Sequence, residues 1–416
     1  MKLGLGNIRH LLKSVGNPEK RFRSIHIAGT NGKGSTAAFL ASITMEAGYK
    51  TGLYTSPHLV RFTERIRING AEIPEKRLVA YARALRPMIE KCRATFFEAT
   101  TCIAFQYFAD EGVDIAIIEA GLGGRLDSTN VLKPMVSVIT NVGLDHTDIL
   151  GRTIPAIARE KGGIIKKGVP CITAATDAST LRTLRGIAAR KHTRLLRSQR
   201  VVSFGLHRTE ASKVAMRSRT YSMPGVQLGL AGPHQRQNAQ LAVAALEILR
   251  RNHEQRSSFE RIDVSAIQRG LRNVVQNTGL HGRLERIGPE KRYILDVAHN
   301  PPGIRTLVDA LRSGGMNDLV VVFGVMKDKD YRAMVAGLSR VSGILIPVAP
   351  EGERALSARK LFDYVRQQRI PVLPGGTVRQ GLRSARKHCR PSQRILITGS
   401  HYVVGEALDY LCRKKA

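Results

Sequence analysis

Apolar positions along the 416 residues alternate between the two-residue period of a strand and the 3.6-residue period of a helix. Residues 3–15 set Leu5, Ile8, Leu11, Leu12 and Val15 on one helical face, and Gly16, Asn17 and Pro18 close it. A short strand over 22–27 precedes a glycine-rich loop, and a helix over 37–46 follows, stopped by Gly48. The pattern then predicts strands over 50–55 and 61–68, the second ending in the Asn69-Gly70 turn, and helices over 75–94 and 98–110. Residues 113–118 and 136–140 are continuous apolar runs of the buried parallel type. A helix over 157–165 and a strand over 168–173 continue the alternation beyond residue 190.

The pattern changes at 197–229, where short pieces over 200–204 and 219–230 predict a small antiparallel addition. Helices over 239–250 and 263–273 follow. Residues 276–283 read as a linker, after which a fresh alternation begins. Its strands are expected over 292–296, 318–323, 343–348 and 394–398, with helices over 302–311, 331–338 and 357–366. The expectation is an α/β protein of two domains, 1–281 and 282–416. The first has a mainly parallel sheet and the second a doubly wound, Rossmann-like sheet.

The loop His26-Ile-Ala-Gly-Thr-Asn-Gly-Lys-Gly-Ser-Thr36 gives the first domain its chemistry. Glycines let backbone N–H groups close around phosphate oxygens, and the following helix N-terminus favours negative charge. Lys33 would neutralise phosphate, and the hydroxyl of Ser35 or Thr36 would hold Mg²⁺. Gly34 intervenes where the general phosphate loop has Ser or Thr. Two strand ends add candidates, Glu119 after the run 113–118 and His146 after 136–140, because open α/β sheets bind ligands at those ends. A carboxylate and an imidazole so placed can converge on one ion; a structural acid and a hydrogen-bonded loop histidine are the alternatives.

Bulk composition excludes more than it assigns. No apolar run reaches the ~20 residues of a membrane span, and the first residues lack the apolar stretch of a signal peptide. Five scattered cysteines form neither a zinc pattern nor a disulfide framework. The expected setting is the cytoplasm. Charge is the anomaly: 66 Lys and Arg against 33 Asp and Glu give +33. Such a field attracts polyanions generally. With no tryptophan and 5% aromatic residues, base-stacking platforms are not evident.

Taken together, Gly29-Thr-Asn-Gly-Lys-Gly-Ser35, Tyr54-Thr-Ser-Pro-His58, Glu64-Arg-Ile-Arg-Ile-Asn-Gly70, Glu119-Ala-Gly-Leu-Gly-Gly-Arg-Leu-Asp127, Leu144-Asp-His-Thr147, Glu160-Lys161, Gly282-Arg-Leu284 and Asp296-Val-Ala-His-Asn-Pro301 resemble one family. It is the folylpolyglutamate synthase and dihydrofolate synthase branch of the ATP-dependent Mur-type ligases. The resemblance spans essentially the whole chain. It implies a P-loop ATPase-like first domain and a glutamate-ligase second domain.

By that resemblance Gly32, Lys33, Gly34 and Ser35 hold the ATP phosphates, and Ser56, Glu119 and His146 bind Mg²⁺. Lys161 carries a CO₂ adduct and serves a second Mg²⁺; a surface lysine paired with Glu160 is its rival. Asn238, Arg283, Asp296 and His299 correspond to further ATP contacts. Leu3, Gly4 and Leu5, Thr95, Phe96, Phe97 and Glu98, and Leu126, Asp127 and Ser128 correspond to pterin-binding positions. Lys33, His146, Lys161 and Arg283 form the implied catalytic set. The implied partners are a folate- or pteroate-type acid and L-glutamate, on a monomer that needs neither membrane nor nucleic acid. A Mur-type ligase for another acid and a nucleic-acid-stimulated ATPase are the alternatives.

Overall fold

The computed structural model describes residues 4–206, 213–252 and 259–413. The chain divides into two compact units. The larger takes in residues 63–229 and 235–280 and the chain up to Pro57; the smaller takes in 58–62, 230–234 and the chain from His281.

The first unit opens with α1 (Gly6–Ser14), β1 (Arg23–Ala28), α2 (Lys33–Glu46), β2 (Thr51–Tyr54), β3 (Ile66–Ile68) and β4 (Ala71–Glu72). Helices α3 (Glu75–Cys92) and α4 (Phe96–Asp110), strands β5 (Ile115–Glu119) and β6 (Val136–Ile139), and helices α5 (Thr147–Leu150) and α6 (Ile154–Gly162) follow. Next come β7 (Cys171–Thr173), α7 (Ala178–Arg190), β8 (Leu195–Arg197), α8 (Ser198–Val201), β9 (Ser203–Leu206), β10 (Lys213–Arg217) and β11 (Ser222–Gln227). The last are α9 (Pro233–Arg251), α10 (Val264–Arg272) and α11 (Val274–Thr278).

Eight strands form one sheet in the order β4-β3-β2-β5-β1-β6-β7-β8, parallel from β2 to β8. At the edge, β3 pairs antiparallel with β2 and β4 antiparallel with β3, so β3 alone is reversed. Register decides where the chemistry falls. Ile27 of β1 pairs with Glu119 of β5, Ala28 with Ile139 of β6, and Tyr54 of β2 with Ile118. The carboxyl ends of β1, β2, β5 and β6 therefore lie side by side, and the chains leaving them share one edge.

Helix α2 is apolar all round and almost wholly buried, as a central helix of an α/β domain must be. It begins at Lys33, four residues ahead of the apolar pattern, because the phosphate loop and not side-chain periodicity starts it. Helices α1, α3 and α4 cover another core built on Ile8, Leu12, Tyr54, Phe105 and Phe108. The antiparallel addition is the three-stranded sheet β11-β10-β9. Ser218 and Thr220 hydroxyls tie it to α9 by donating to buried Glu247 at 3.0 and 3.1 Å. The strand expected over 61–68 is shorter: residues 62–65 turn as a 3-10 helix and extended chain starts at Ile66. Part of the expected linker is helical, since α11 runs to Thr278 before Gly279 takes positive φ and ends it.

The second unit contains β12 (Glu285–Ile287), β13 (Tyr293–Leu295), α12 (Pro301–Ser313), β14 (Leu319–Phe323), α13 (Tyr331–Leu338) and β15 (Ser342–Ala349). It ends with α14 (Ala358–Gln367), β16 (Gly376–Thr377), α15 (Val378–His388), β17 (Ile395–Thr398) and α16 (His401–Arg413). Its sheet order is β12-β13-β17-β14-β15-β16, parallel except for β12. One face packs on α12, α13 and α14, the other on α15 and α16. This is the doubly wound arrangement that the second alternation predicts.

Candidate active site

The loop between β1 and α2 is built for close approach. At Gly32, φ is +82°, and a Cβ would come within 2.5 Å of Asn238 Oδ1. Glycine meets both demands, because it alone takes that φ without strain. Asn238 is itself buried and donates to Gln235 Oε1 at 2.9 Å. The loop is also tied to the chain leaving β6. Asn31 N–H donates to Asn141 Oδ1 at 3.0 Å, Thr140 Oγ1 donates to Asn31 O at 2.7 Å, and Gly143 N–H donates to Thr30 Oγ1 at 2.9 Å. Lys33 curls back to donate to Gly29 O and Thr30 O, at 3.1 and 3.3 Å. Its ammonium thus lies over the loop it is expected to serve.

Lys161, near the end of α6, is brought to the same loop and donates to Gly29 O at 2.9 Å. It is 3% exposed, so the alternative of a surface lysine is removed; Glu160 instead pairs with Arg125 at 2.9 Å. Burial, aided by the positive charge of Lys33, lowers the Lys161 pKa to about 7 against the attraction of Asp145 and Asp127. A lysine held there has a large neutral fraction, the form that reacts with CO₂.

Glu119 is buried at the end of β5, where its Oε2 accepts from Ser56 N–H at 3.3 Å. His146 stands in the loop after β6 with φ +50°, and its Nε2 is 3.9 Å from Asp145 Oδ1. Among the described residues no group of three or more His, Cys, Asp or Glu side chains could hold a metal ion by itself. The donors fit a magnesium ion in another way. Mg²⁺ takes one or two protein oxygens and fills its octahedron with phosphate oxygens and water. Glu119 offers a carboxylate beside the Ser56 backbone, and Thr36 Oγ1, in the first turn of α2, is buried with no protein partner among the described residues.

The expected pterin positions also converge, apart from Leu3, which lies outside the described residues. Gly4 and Leu5 lead into α1, which packs on α4 and on the turn over 128–131. Thr95 and Glu98 form a capping box that starts α4, and Glu98 Oε2 accepts from Thr95 N–H at 2.7 Å and from Asn7 Nδ2 at 3.4 Å. Phe97 fills the space over Gly121, where any Cβ would meet its ring. Phe96 is 64% exposed under the Arg65 guanidinium, 5.5 Å from the ring centroid. Leu126, Asp127 and Ser128 follow the glycine turn after β5; the Asp127 carboxylate is buried, accepts from Leu122 N–H at 2.9 Å and Thr129 N–H at 3.0 Å, and has a pKa raised by that burial. Glu98 and Asp127 thus organise the backbone, and Phe96 is the open side chain of the group.

In the second unit Arg283 and Asp296 attract one another across the start of the domain. Burial raises the Asp296 pKa, which Arg283 opposes, and its oxygens accept from Ala298 and Leu284 N–H at 2.9 and 3.0 Å. His299 Nδ1 meets Val297 O at 2.9 Å, and its ring stands 5.3 Å from that of His401. Sequence reasoning did not single out His401, Gln235 or Asp145 as site residues. Asp145 had a signal, since it precedes His146 in the quoted motif; the other two are identified by packing alone.

Two family models match the chain: the Mur ligase middle domain over residues 27–246, and the Mur ligase glutamate ligase domain over 282–401. A dihydrofolate synthase/folylpolyglutamate synthase of Bacillus subtilis is 37% identical over 87% of this chain and 85% of that protein. A folylpolyglutamate synthase of Lacticaseibacillus casei is 34% identical over 98% of this chain and 94% of that one. Among solved structures, Escherichia coli FolC with DHPP and ADP aligns with TM-score 0.89 at 30% identity, covering 100% of this chain and 95% of that one. A bifunctional folylpolyglutamate synthase/dihydrofolate synthase with Mn, AMPPNP and L-glutamate bound aligns with TM-score 0.85 at 28% identity, over 99% and 95% of the two chains.

Proposed function

Because the chain belongs to the Mur ligase family, in its folylpolyglutamate synthase/dihydrofolate synthase branch, we propose that its site joins L-glutamate to a folate-type acid at the expense of ATP. The observation that carries the reading is Lys161, a buried amine brought onto the phosphate loop beside Lys33. Dihydropteroate and reduced folates carrying glutamate are the two acceptor classes. The polypeptide divides into an ATP-binding part, 1–281, and a glutamate-ligase part, 282–416, and acts as a monomer in the cytoplasm.

An amide does not form from a carboxylate and an amine in water without activation. The acceptor carboxylate attacks the γ-phosphoryl group, giving an acyl phosphate and ADP; the glutamate amine then displaces phosphate through a tetrahedral intermediate. No protein nucleophile is required, so positioning and charge carry the rate. The loop amides around Gly32, Gly34 and Ser35 cradle the phosphates, and Lys33 leaves its carbonyl contacts for them. Arg283 adds a second cation, with Asn238, Asp296 and His299 as nucleotide contacts. Ser56, Glu119 and His146 would hold one Mg²⁺ and carbamylated Lys161 a second, supplying charge neutralisation at the phosphoryl group. Carbamylation turns a cation that would repel Mg²⁺ into an anion that attracts it. Gly4, Leu5, Phe96, Phe97, Leu126 and Ser128 receive the pterin.

The test is ADP release with ATP, Mg²⁺ and L-glutamate, comparing dihydropteroate, tetrahydrofolate and no acceptor. Turnover with both acceptors is expected. Turnover with one narrows the reaction to that step, and turnover with neither removes the reading.

A further inference from the structure

Residues 364–405 are a run of 42 positions holding eight Lys or Arg and no Asp or Glu. Helix α15 carries its densest part. Val378, Leu382, Ala385 and Cys389 bury one side in the core shared with α16. The other side presents Arg379, Arg383 and Lys387, with Arg386 at its border and Arg390 in the chain just past the helix end. Steps of four residues keep the first three cations in one row. At 1.5 Å per residue the helical row is about 12 Å long.

Much of the row is held in place before anything binds. Arg386 Nε donates to the Tyr293 hydroxyl at 2.6 Å, and its guanidinium lies over the rings of Tyr293 and Tyr410, 5.5 and 5.8 Å from their centroids. Arg379 lies over Tyr410 at 5.4 Å. At the helix end Arg292 donates to Cys389 O at 3.0 Å and Arg390 O at 3.3 Å, adding a guanidinium there. Arg383 and Lys387 are exposed and have no partner among the described residues. At the end of the row Asp318 pairs with Arg390.

An exposed basic helix is ordinarily just a solvated face. Here stacking on tyrosine has already restricted two of the arginines, which lowers the entropy lost on binding. The planar guanidinium fork matches phosphate better than an ammonium does. A membrane surface would need apolar side chains to insert; those of α15 are buried, and no exposed large hydrophobic among the described residues lies on it. Both tyrosines lie under arginines, so bases have no free ring to stack on and recognition falls on the backbone. At about 3.4 Å per phosphate along a stacked strand, the row matches about four.

We propose that the arginine face of α15 binds the phosphodiester backbone of nucleic acid without sequence preference, as an accessory surface apart from the ligase residues. The experiment measures fluorescence anisotropy of a labelled mixed-sequence single-stranded RNA with the full chain across a salt series. The double variant Arg383→Gln/Lys387→Gln is compared with Arg359→Gln/Lys360→Gln, which removes equal charge from α14 on the other face of the sheet. The α15 variant is expected to bind about ten-fold more weakly and to lose about 1.4 from the slope of log K against log salt, at ~0.7 per phosphate contact. The α14 variant keeps the wild-type slope, and both variants keep ligase turnover, which reports that they fold. Equal weakening in the two variants would assign binding to the diffuse charge of the molecule and overturn the proposal. So would the absence of salt-dependent binding, or capture of phosphatidylserine vesicles in preference to RNA.

Discussion

His26 and Lys161 are basic side chains that burial has pushed towards neutrality, with different consequences. His26 sits inside β1 with Nε2 2.8 Å from Thr129 Oγ1, and burial followed by the charge of Lys166 lowers its pKa to about 3. Between pH 3 and 6.5 the unfolded chain binds a proton that the folded chain does not, so stability falls on acidification at up to ~1.4 kcal/mol per pH unit. Urea melts at pH 6.5 and 5 should show His26→Gln losing about 2 kcal/mol less than wild type over that interval. Equal losses would place the acid sensitivity elsewhere. Lys161 uses its depressed pKa differently, since only the free amine takes up CO₂. Protein equilibrated with ¹³C-bicarbonate should show a carbamate resonance that strengthens as pH rises through about 7. The signal should vanish in Lys161→Ala, along with at least a hundred-fold of the turnover, because the loss is of a transition-state charge. A variant retaining turnover without the resonance would remove the carbamate from the mechanism.

Elements meet where small residues allow it, and α2 and α10 show how sharply. A Cβ on Gly270 would come within 2.5 Å of the Ile43 Cα, and Ser42 Oγ donates to Gly270 O at 2.7 Å. Alanine ordinarily gains ~1 kcal/mol over glycine inside a helix. Overpacking against backbone costs about 1–3 kcal/mol and cannot be relieved by a rotamer change. Gly270→Ala should therefore lower the melting temperature despite its better helix propensity; a rise would show that the two helices can separate freely. Such contacts were illegible in the sequence, which carries period and not distance. Buried parallel strands such as 113–118 announce themselves by unbroken apolar runs, and strand-end Glu119 and His146 were found by the same logic. Helix α15 escaped notice because its four buried positions are outnumbered by basic ones, and α8 because one turn has no period. Lys161 was recognisable as a motif residue. Its hydrogen bond to Gly29, 132 positions away, depends on sheet order and had no local signal.

At the scale of the whole molecule, each of the 33 acids can compensate at most one of the 66 basic residues, leaving 33 positive charges that repel each other and attract the substrates. Ion pairs such as Arg86–Glu90 at 2.8 Å are largely exposed and contribute little individually. The uncompensated charges therefore set the response to salt, and they set it with opposite signs for two observables. Screening, which shortens from about 10 Å at 0.1 M to about 3 Å at 1 M, weakens the self-repulsion and should raise the melting temperature over that range. The same screening weakens the pull on ATP, glutamate and the anionic acceptor, so kcat/KM for each should fall. Turnover at saturation has no encounter step to lose, and kcat should change much less. A flat kcat/KM would mean that the field does not reach the approaching substrates. A falling melting temperature would mean that attraction within pairs, rather than repulsion among the excess, dominates this protein's electrostatics.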